Sequence, residues 1–321
     1  MPPDRWASQR PTIVDVAALS GVSKSTVSNV LRGAGRVSES TRARVVESME
    51  ALGYRANSLA RDLVRRRSST IGVVLGDLAN TFYADLVKLL ELRISEAAYT
   101  TIVCNTDGRL ELERARVEML LERAVSGVVM LQFSGDGSVL DELAAARVPV
   151  VVVSCWEERV DCVAVDDRAG MAAAVEHLVG LGHRRIAHVT TELVEESTRA
   201  ARYAGYEAAM LAHGLEPALL EGGAISSEFT AFAAANDVIA VRLIDAVEAG
   251  GRRVPDDVSV VGFDGTDLGA HSRIRLTTVA QPRGRLISDG LRLLTERMGG
   301  EAGPARHVRL EPELVVRGTT A

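Results

Sequence analysis

Two sets of polar residues in this 321-residue chain are spaced so that they could do chemistry. The first is Ser23, Lys24, Ser25, Thr26, Ser28 and Asn29, which open a short amphipathic stretch. At the N-terminal end of a helix, such side chains can meet base edges in the major groove of DNA. Lysine donates to guanine and asparagine pairs bidentately with adenine, so Lys24 and Asn29 are candidate readers. Ser23 and Thr26 suit phosphate contacts or a helix cap. Thr12 is a candidate cap of the preceding stretch and belongs to the same surface. The second set is Arg202, which starts a helical turn, and Asn236 and Asp264, which follow or end apolar runs, with Ser134 and Asp136 in the loop after 127–133. A guanidinium fork, an amide and an acceptor-only carboxylate together suit a polyhydroxylated or heterocyclic ligand.

The first set needs short helices to position it. Thr12 with Asp15 three residues later, followed by Ile13, Val16, Ala17 and Leu19 as an apolar face, predicts a capped helix. Gly21 interrupts it, and Ser23 caps a second helix with Val27, Val30 and Leu31 at helical spacing. Ser38 caps a third, lined by Val45, Met49 and Leu52 and ended by Gly53. Two helices joined by a glycine-containing turn have helix-turn-helix spacing, with small Ala17 where they cross. The alternative reading is an ordinary three-helix bundle with a solvated polar face.

The second set needs a sheet. From residue 70 onwards, apolar runs at 71–75, 101–104, 127–131 and 149–153 alternate with helical stretches at about 82–98, 110–124 and 138–146. Runs at 162–165, 186–189, 230–234, 258–262 and 276–279 follow, with helices near 168–181, 198–213 and 237–249. Strands this apolar, spaced by helices, imply parallel sheets buried on both faces, and two such series imply two doubly wound lobes. Ligands of such sheets bind beyond the carboxyl ends of the strands.

Charge divides the chain at the same place. Residues 1–69 carry 12 Lys/Arg against 6 Asp/Glu, whereas residues 70–321 carry 25 against 37. A basic head on an acidic body implies different partners for the two parts. Cys104, Cys155 and Cys162 form no CxxC pair, and the 6 histidines form no HExxH, so neither a disulfide scaffold nor a metal site is expected. Dinucleotide, P-loop and nucleophile-elbow motifs are missing, so neither an enzyme nor a cofactor is expected. No apolar run is long enough for a membrane span, and the first residues lack a signal peptide's apolar stretch, so a cytoplasmic protein is expected.

The stretch PTIVDVAALSGVSKSTVSNVLRGAGRVSESTRARVVESMEALGYRANSLARDL (11–63) resembles the N-terminal module of LacI/GalR-family transcriptional regulators. The resemblance continues in VDDRAGMAAAVEHLVGLGHRRIAHV (165–189), RAARYAGYEAAM (199–210), AAND (234–237), VPDDVSVVGFDG (254–265) and LTTVAQP (276–282). These are similar to the family's effector core, itself like periplasmic sugar-binding proteins. The implied fold is a small all-α helix-turn-helix domain (1–55), a hinge helix and linker (56–69), and an α/β core of two doubly wound parallel-sheet lobes (70–321). The implied lobes are about 70–153 with 282–302, and about 154–281 with 303–321, the last including strands at 307–310 and 314–317.

The resemblance implies that Lys24, Ser25 and Asn29 read bases and that Arg36 approaches DNA from a loop. It places Asn57, Ala60 and Leu63 in a hinge helix, with Leu63 as the wedge into the minor groove. Phe82 and Trp156 match positions where rings cover an effector, and Arg202, Asn236 and Asp264 match effector contacts. The partners implied are a double-stranded, pseudo-palindromic DNA operator, a sugar or nucleoside-like effector, and a second copy in a homodimer, with no membrane. Each effector position has a plainer alternative. Asp264 and Asn236 could cap loops or helices, Arg202 could pair with a carboxylate such as Glu196, and Trp156 could be packing. Asp166 reads as an N-cap, and His183 as a structural loop residue.

The chain departs from the family in three places. The family commonly has arginine where this chain has Asn29, and proline where it has Ala56. Between the helix at 198–213 and Asn236, only EGGAISSEFTAFAAAND fills an interval that normally holds a full helix. Either neighbouring segments refill that face or it is exposed. The alternative functions are a regulator without an effector and a solute-binding protein.

Overall fold

The computed structural model describes residues 11–32, 37–54, 68–192, 194–222 and 226–321. The chain divides into two compact units, Met1–Ser68 and Ser69–Ala321.

The head has three described helices, α1 (Ile13–Ser20), α2 (Lys24–Arg32) and α3 (Glu39–Leu52). Thr12 and Asp15 close a capping box at α1: the Thr12 hydroxyl accepts from Val14 N, and Asp15 accepts from Thr12 N at 2.7 Å. Gly21 ends the helix at φ 68°, a conformation that costs a residue with a Cβ. Ser38 caps α3, and Gly53 ends it in the same left-handed way. Val16, Ala17, Val27, Val30 and Val45 form the buried centre, with Ile13, Val22, Leu31, Met49 and Leu52 around it. Leu19 is not part of the apolar face; it is 55% exposed, and buried Ser20 takes the inward position one residue on.

The second unit holds two six-stranded sheets. The first contains β1 (Thr70–Leu75), β2 (Thr100–Asn105), β3 (Gly127–Met130), β4 (Val150–Val153), β5 (Asp161–Val165) and β11 (His307–Leu310), in the order β11-β5-β4-β3-β1-β2, all parallel. The second contains β6 (Ile186–Thr190), β7 (Leu219–Glu221), β8 (Ala231–Ala234), β9 (Ser259–Asp264), β10 (Thr277–Ala280) and β12 (Glu313–Val315), in the order β12-β10-β9-β8-β6-β7. Only β12 in that sheet is antiparallel to its neighbour. The helices are α4 (Thr81–Glu96), α5 (Leu110–Glu122), α6 (Gly137–Ala145), α7 (Asp167–Gly180), α8 (Glu196–Ala212), α9 (Asp237–Ala249), the short α10 (Asp267–Ala270) and α11 (Arg283–Met298). They cover both faces of buried strands, as parallel sheets require.

Two chain crossings fall later than the sequence implies. Residues 161–165 pair with β4 (Val152 beside Cys162), so the chain leaves the first lobe after Val165, not near Val153. Residues 307–310 pair with β5 (Val308 beside Val163), so the return lies between Leu310 and Glu313, not near Gly303. The physical reason is visible at Asp161. It opens β5 in a buried position, where its carboxylate receives Arg297 at 2.8 Å and Arg306 at 2.7 Å. Both arginines come from α11 and the segment after it, on the first lobe. Their hydrogen bonds hold the carboxyl at about 2, against the opposing push of burial.

The shortened interval of the second lobe is refilled. β7 and β8 flank β6 on opposite sides, and no helix is described between them. Phe229 from the connection stands beside Phe232, with ring centroids 6.1 Å apart. It joins Leu220 and the α9 residues Ile239, Leu243 and Val247 over Ala187 and Val189, both fully buried.

Candidate nucleic-acid interface and effector site

In the head, Val27 and Val30 turn inward and leave the start of α2 facing solvent. Ser23, Lys24 and Ser25 are exposed; Thr26, Ser28 and Asn29 are half-buried. Ser23 Oγ accepts from Thr26 N at 3.1 Å and shares hydrogen bonds with Ser25 Oγ (2.7 Å) and Thr26 Oγ1 (2.9 Å). Ser23 is therefore a cap, and its hydroxyl network orders the first turn. Thr12 is likewise a cap, with its hydroxyl donating to Asp15 at 2.8 Å. Arg42 reaches the carbonyl of Val30 at 3.4 Å and ties α3 to α2. The exposed first turn of α2 and the Lys24 ammonium form a surface suited to phosphates and base edges. Arg36, Asn57, Ala60 and Leu63 lie outside the described residues.

In the second unit, a cavity of about 30 Å³ lies at the carboxyl ends of strands from both sheets. Phe82, Arg202, Asn236 and Asp264 line it together, joined by Asn80, Tyr83, Glu195 and Gln281. Ser134, Asp136 and Trp156 are not brought there. Ser134 is held by Glu113, donating through Oγ at 2.7 Å and through N at 3.0 Å. Asp136 caps α6 and pairs with Arg114. Trp156 packs against His307, at 5.4 Å between centroids, and against the Arg309 guanidinium, 4.4 Å from its ring centre. That place is the β11 edge of the first sheet. A polar or aromatic residue shortly after a strand can equally serve the loop it stands in.

Arg202 is the hub of the cavity wall and is 4% exposed. Its Nε donates to Asp167 at 2.8 Å, one Nη donates to the Ala235 carbonyl, and the same Nη stands 3.6 Å from Asp264. Its guanidinium carbon lies 3.7 Å from the centre of the Phe263 ring. The carboxylate partner is thus Asp167, not Glu196. Asp264 ends β9 with φ 121°, a strained conformation for a residue with a Cβ. It accepts from Gln281 Nε2 at 2.8 Å. Burial pushes its carboxyl up to about 8, opposed by the nearby Arg202 charge. Behind it, Asp237 accepts from Thr266 N (2.7 Å), Thr266 Oγ1 (2.8 Å) and Thr278 Oγ1 (2.5 Å), fixing the turn after β9. Asn236 caps α9 through Ile239 N at 2.8 Å while still lining the cavity. Asp166 caps α7, and His183 bonds Thr230 and the Ala321 carbonyl.

Sequence reasoning missed Asn80, Tyr83, Glu195, Gln281 and Asp167. Gln281 carried the same signal that marked Asp264, a polar residue directly after a buried strand. Asn80 and Glu195 are helix caps, which read as local devices. Among the described residues, no three metal-ligating side chains converge, and no helix is long and apolar enough to cross a membrane.

This arrangement, a helix-turn-helix head and a two-lobed α/β core with a polar cavity at its strand ends, defines a class that the comparisons identify. Residues 12–57 match the family described as bacterial regulatory proteins, lacI family. Residues 68–224 match periplasmic binding proteins and sugar binding domain of LacI family, and residues 175–320 match the periplasmic binding protein-like domain. The chain belongs to the LacI family of bacterial regulatory proteins. It is 32% identical to the HTH-type transcriptional repressor PurR of Photobacterium profundum, over 95% of this chain and 97% of that protein. Among solved structures it is similar to the Lac repressor dimer bound to operator and the anti-inducer ONPF, with a TM-score of 0.82 and 30% identity, covering 97% of this chain and 99% of that one. It is also similar to the transcriptional regulator CelR in complex with cellobiose, with a TM-score of 0.70 and 29% identity, covering 97% and 100%.

Proposed function

We propose that this chain is a non-catalytic transcriptional repressor that binds a pseudo-palindromic operator as a homodimer. One head would enter each half-site, with Lys24, Ser25 and Asn29 facing bases and the caps Thr12 and Ser23 beside phosphates. Arg36 and a hinge segment bearing Asn57, Ala60 and Leu63 complete the proposed DNA contacts. A sugar or nucleoside-like effector would enter the interlobe cavity and bind the two states of the core unequally, which shifts operator affinity. The observation that supports this reading best is the exposed polar first turn of α2 on a separately packed helical head.

The test is selection of bound sites from randomised DNA by the full chain, followed by a gel shift on the selected sequence. A two-fold-related site is expected, with binding lost on deletion of residues 1–68. Failure to select any site overturns the reading. A second reading, a regulator with no small-molecule effector, is favoured by the size of the cavity. About 30 Å³ holds one or two waters, far below the several hundred Å³ of ordinary ligand sites. Under the effector reading the lobes must therefore part to admit a ligand. Melting of the protein against a panel of sugars and nucleosides separates the two: a stabilising ligand that also releases the operator supports the first, and silence across the panel supports the second.

A further inference from the structure

The interlobe cavity is closed to about 30 Å³, so the two lobes must be held together beside it. The polar wall does not do this. The bonds of Arg202, Asp167, Asn236 and Asp264 stay within the second lobe or reach only Gln281, at the crossing between lobes. One side chain outside the cavity spans the lobes. Arg283 opens α11, two residues after Gln281, and two carboxylates share its guanidinium. One Nη donates to Asp85 on α4 of the first lobe. The other donates at 3.3 Å to Asp267, the first residue of α10 on the second lobe.

Both carboxylates stand on elements that build the cavity. Asp85 follows Phe82 and Tyr83 on α4, and those two rings line the cavity from the first lobe. Asp267 follows Asp264 by three residues, and Asp237 fixes the turn between them by accepting from Thr266 N and Oγ1. Among the described residues, Arg283 is the one cation paired with either carboxylate. The arrangement therefore has a sign. With the guanidinium in place, a cation stands between two anions on opposite lobes, and the lobes attract. Without its charge, the same two carboxylates face each other and the lobes repel. Arginine suits the place because its planar fork serves two carboxylates at once, whereas lysine offers a single point charge.

We propose that Arg283 is an electrostatic clasp between α4 and α10 that sets the resting angle of the two lobes. It is a positioning residue and touches no ligand. The purpose of the clasp rests on the effector reading above, because it is what a ligand must work against when the lobes part. Its existence does not depend on that reading and is tested without ligand or DNA.

The experiment is single-molecule energy transfer across the cleft in the full chain. Cys104, Cys155 and Cys162 are buried, so the dyes go on Glu111→Cys and Ala200→Cys. Both positions are exposed and lie in the first turns of α5 and α8, which follow strands of opposite lobes. An excess of unlabelled chain ensures that each dye pair reports on one protomer. The Asp267 side chain is 89% exposed, so Asp267→Asn disturbs no packing. It should raise the population with parted lobes about two- to five-fold, the range of one surface ion pair. Arg283→Gln should raise it further, with Arg283→Lys in between. Adding Asp267→Asn to Arg283→Gln should reverse part of the rise, because it removes a repelling carboxylate; a packing role for Arg283 predicts no reversal. Raising ionic strength from about 0.1 M to about 1 M shortens the screening length from about 10 Å to about 3 Å. That should part the lobes of the native chain and draw those of Arg283→Gln together. Unchanged dye distances in both single variants, or a double variant as open as Arg283→Gln alone, overturn the clasp and leave the effector reading standing.

Discussion

The polar residues of the head and those of the interlobe cavity are built on opposite terms. At the start of α2, Ser23, Lys24 and Ser25 stand in solvent, and their hydrogen bonds stay within one helical turn. Around the cavity, Arg202, Asp167, Asp264 and Gln281 are buried and bonded across three elements and the loop after β10. A surface of the first kind can change its specificity without endangering the fold. A cluster of the second kind cannot, because each side chain is the compensation for another's burial. Stability and recognition are therefore separable in the head and fused in the core.

Arg202→Met should break this comparison most sharply. It leaves Asp167 and Asp264 without their cation inside the core, which costs about 3–5 kcal/mol. The core transition in urea should move to much lower denaturant. An unchanged midpoint would mean that water reaches the cluster and that the burial argument is wrong.

The next effect comes from pH. His188 in the middle of β6 is fully buried beside Tyr203 and Tyr206, and neither ring nitrogen has a hydrogen-bond partner. Burial pulls its pKa from 6.5 to about 4. The unfolded chain therefore binds this proton first, and stability falls as pH drops from 6.5 through 4. The shift is worth about 3 kcal/mol in full. Asp264 acts with the opposite sign. Its folded pKa is raised to about 8, so its share is complete below 3.8 and is lost as pH rises through 8. The two overlap, so the clean measurement is a difference. On acidification from pH 7 to 4, His188→Leu should gain about 3 kcal/mol relative to the native chain, followed by chemical denaturation at each pH. Parallel pH curves for the two proteins would rule the mechanism out.

A smaller effect is expected where the head is held by local bonds alone. Thr12→Ala removes the α1 cap and should lower head stability by about 1 kcal/mol, read by circular dichroism of the isolated transition at 222 nm. A loss as large as that at Arg202 would show that the head is no more forgiving than the core.

Much of this was legible in the sequence, and the rest was not for identifiable reasons. Caps and left-handed glycines are local, so Thr12, Ser38, Gly21 and Gly53 could be read directly. Strand ends are nearly local, which is how Asn236 and Asp264 were found; Arg202, inside α8, came from the resemblance, and all three are observed around one cavity. Sheet membership is not local. An apolar run such as Asp161–Val165 is buried on both faces in either lobe, and only the reach of Arg297 and Arg306 assigns it to the first. Partners across the fold were equally hidden: Arg202 had Glu196 close in sequence, yet Asp167 is the residue that meets it. The three-residue β7 was too short to register as a strand beside the missing helix.

The smallest stability effect belongs to Lys24→Ala, and it sharpens the comparison because its binding effect is large. Lys24 is exposed, and truncating it removes no buried contact. The unfolding free energy of the variant should stay within the range of about 0.5 kcal/mol that surface substitutions span. On the selected operator, the same change should cost about 1–3 kcal/mol and relax preference at the guanine it faces. The distinguishing measurement is binding to the selected site and to unrelated DNA at one salt concentration. A phosphate contact would weaken both equally and flatten the salt dependence; a base contact would weaken only the selected site. Equal loss on both would demote Lys24 to backbone attraction and move base reading to Ser25 and Asn29. Loss on the selected site with an unchanged melt would show one side chain carrying recognition without carrying the fold, the reverse of Arg202.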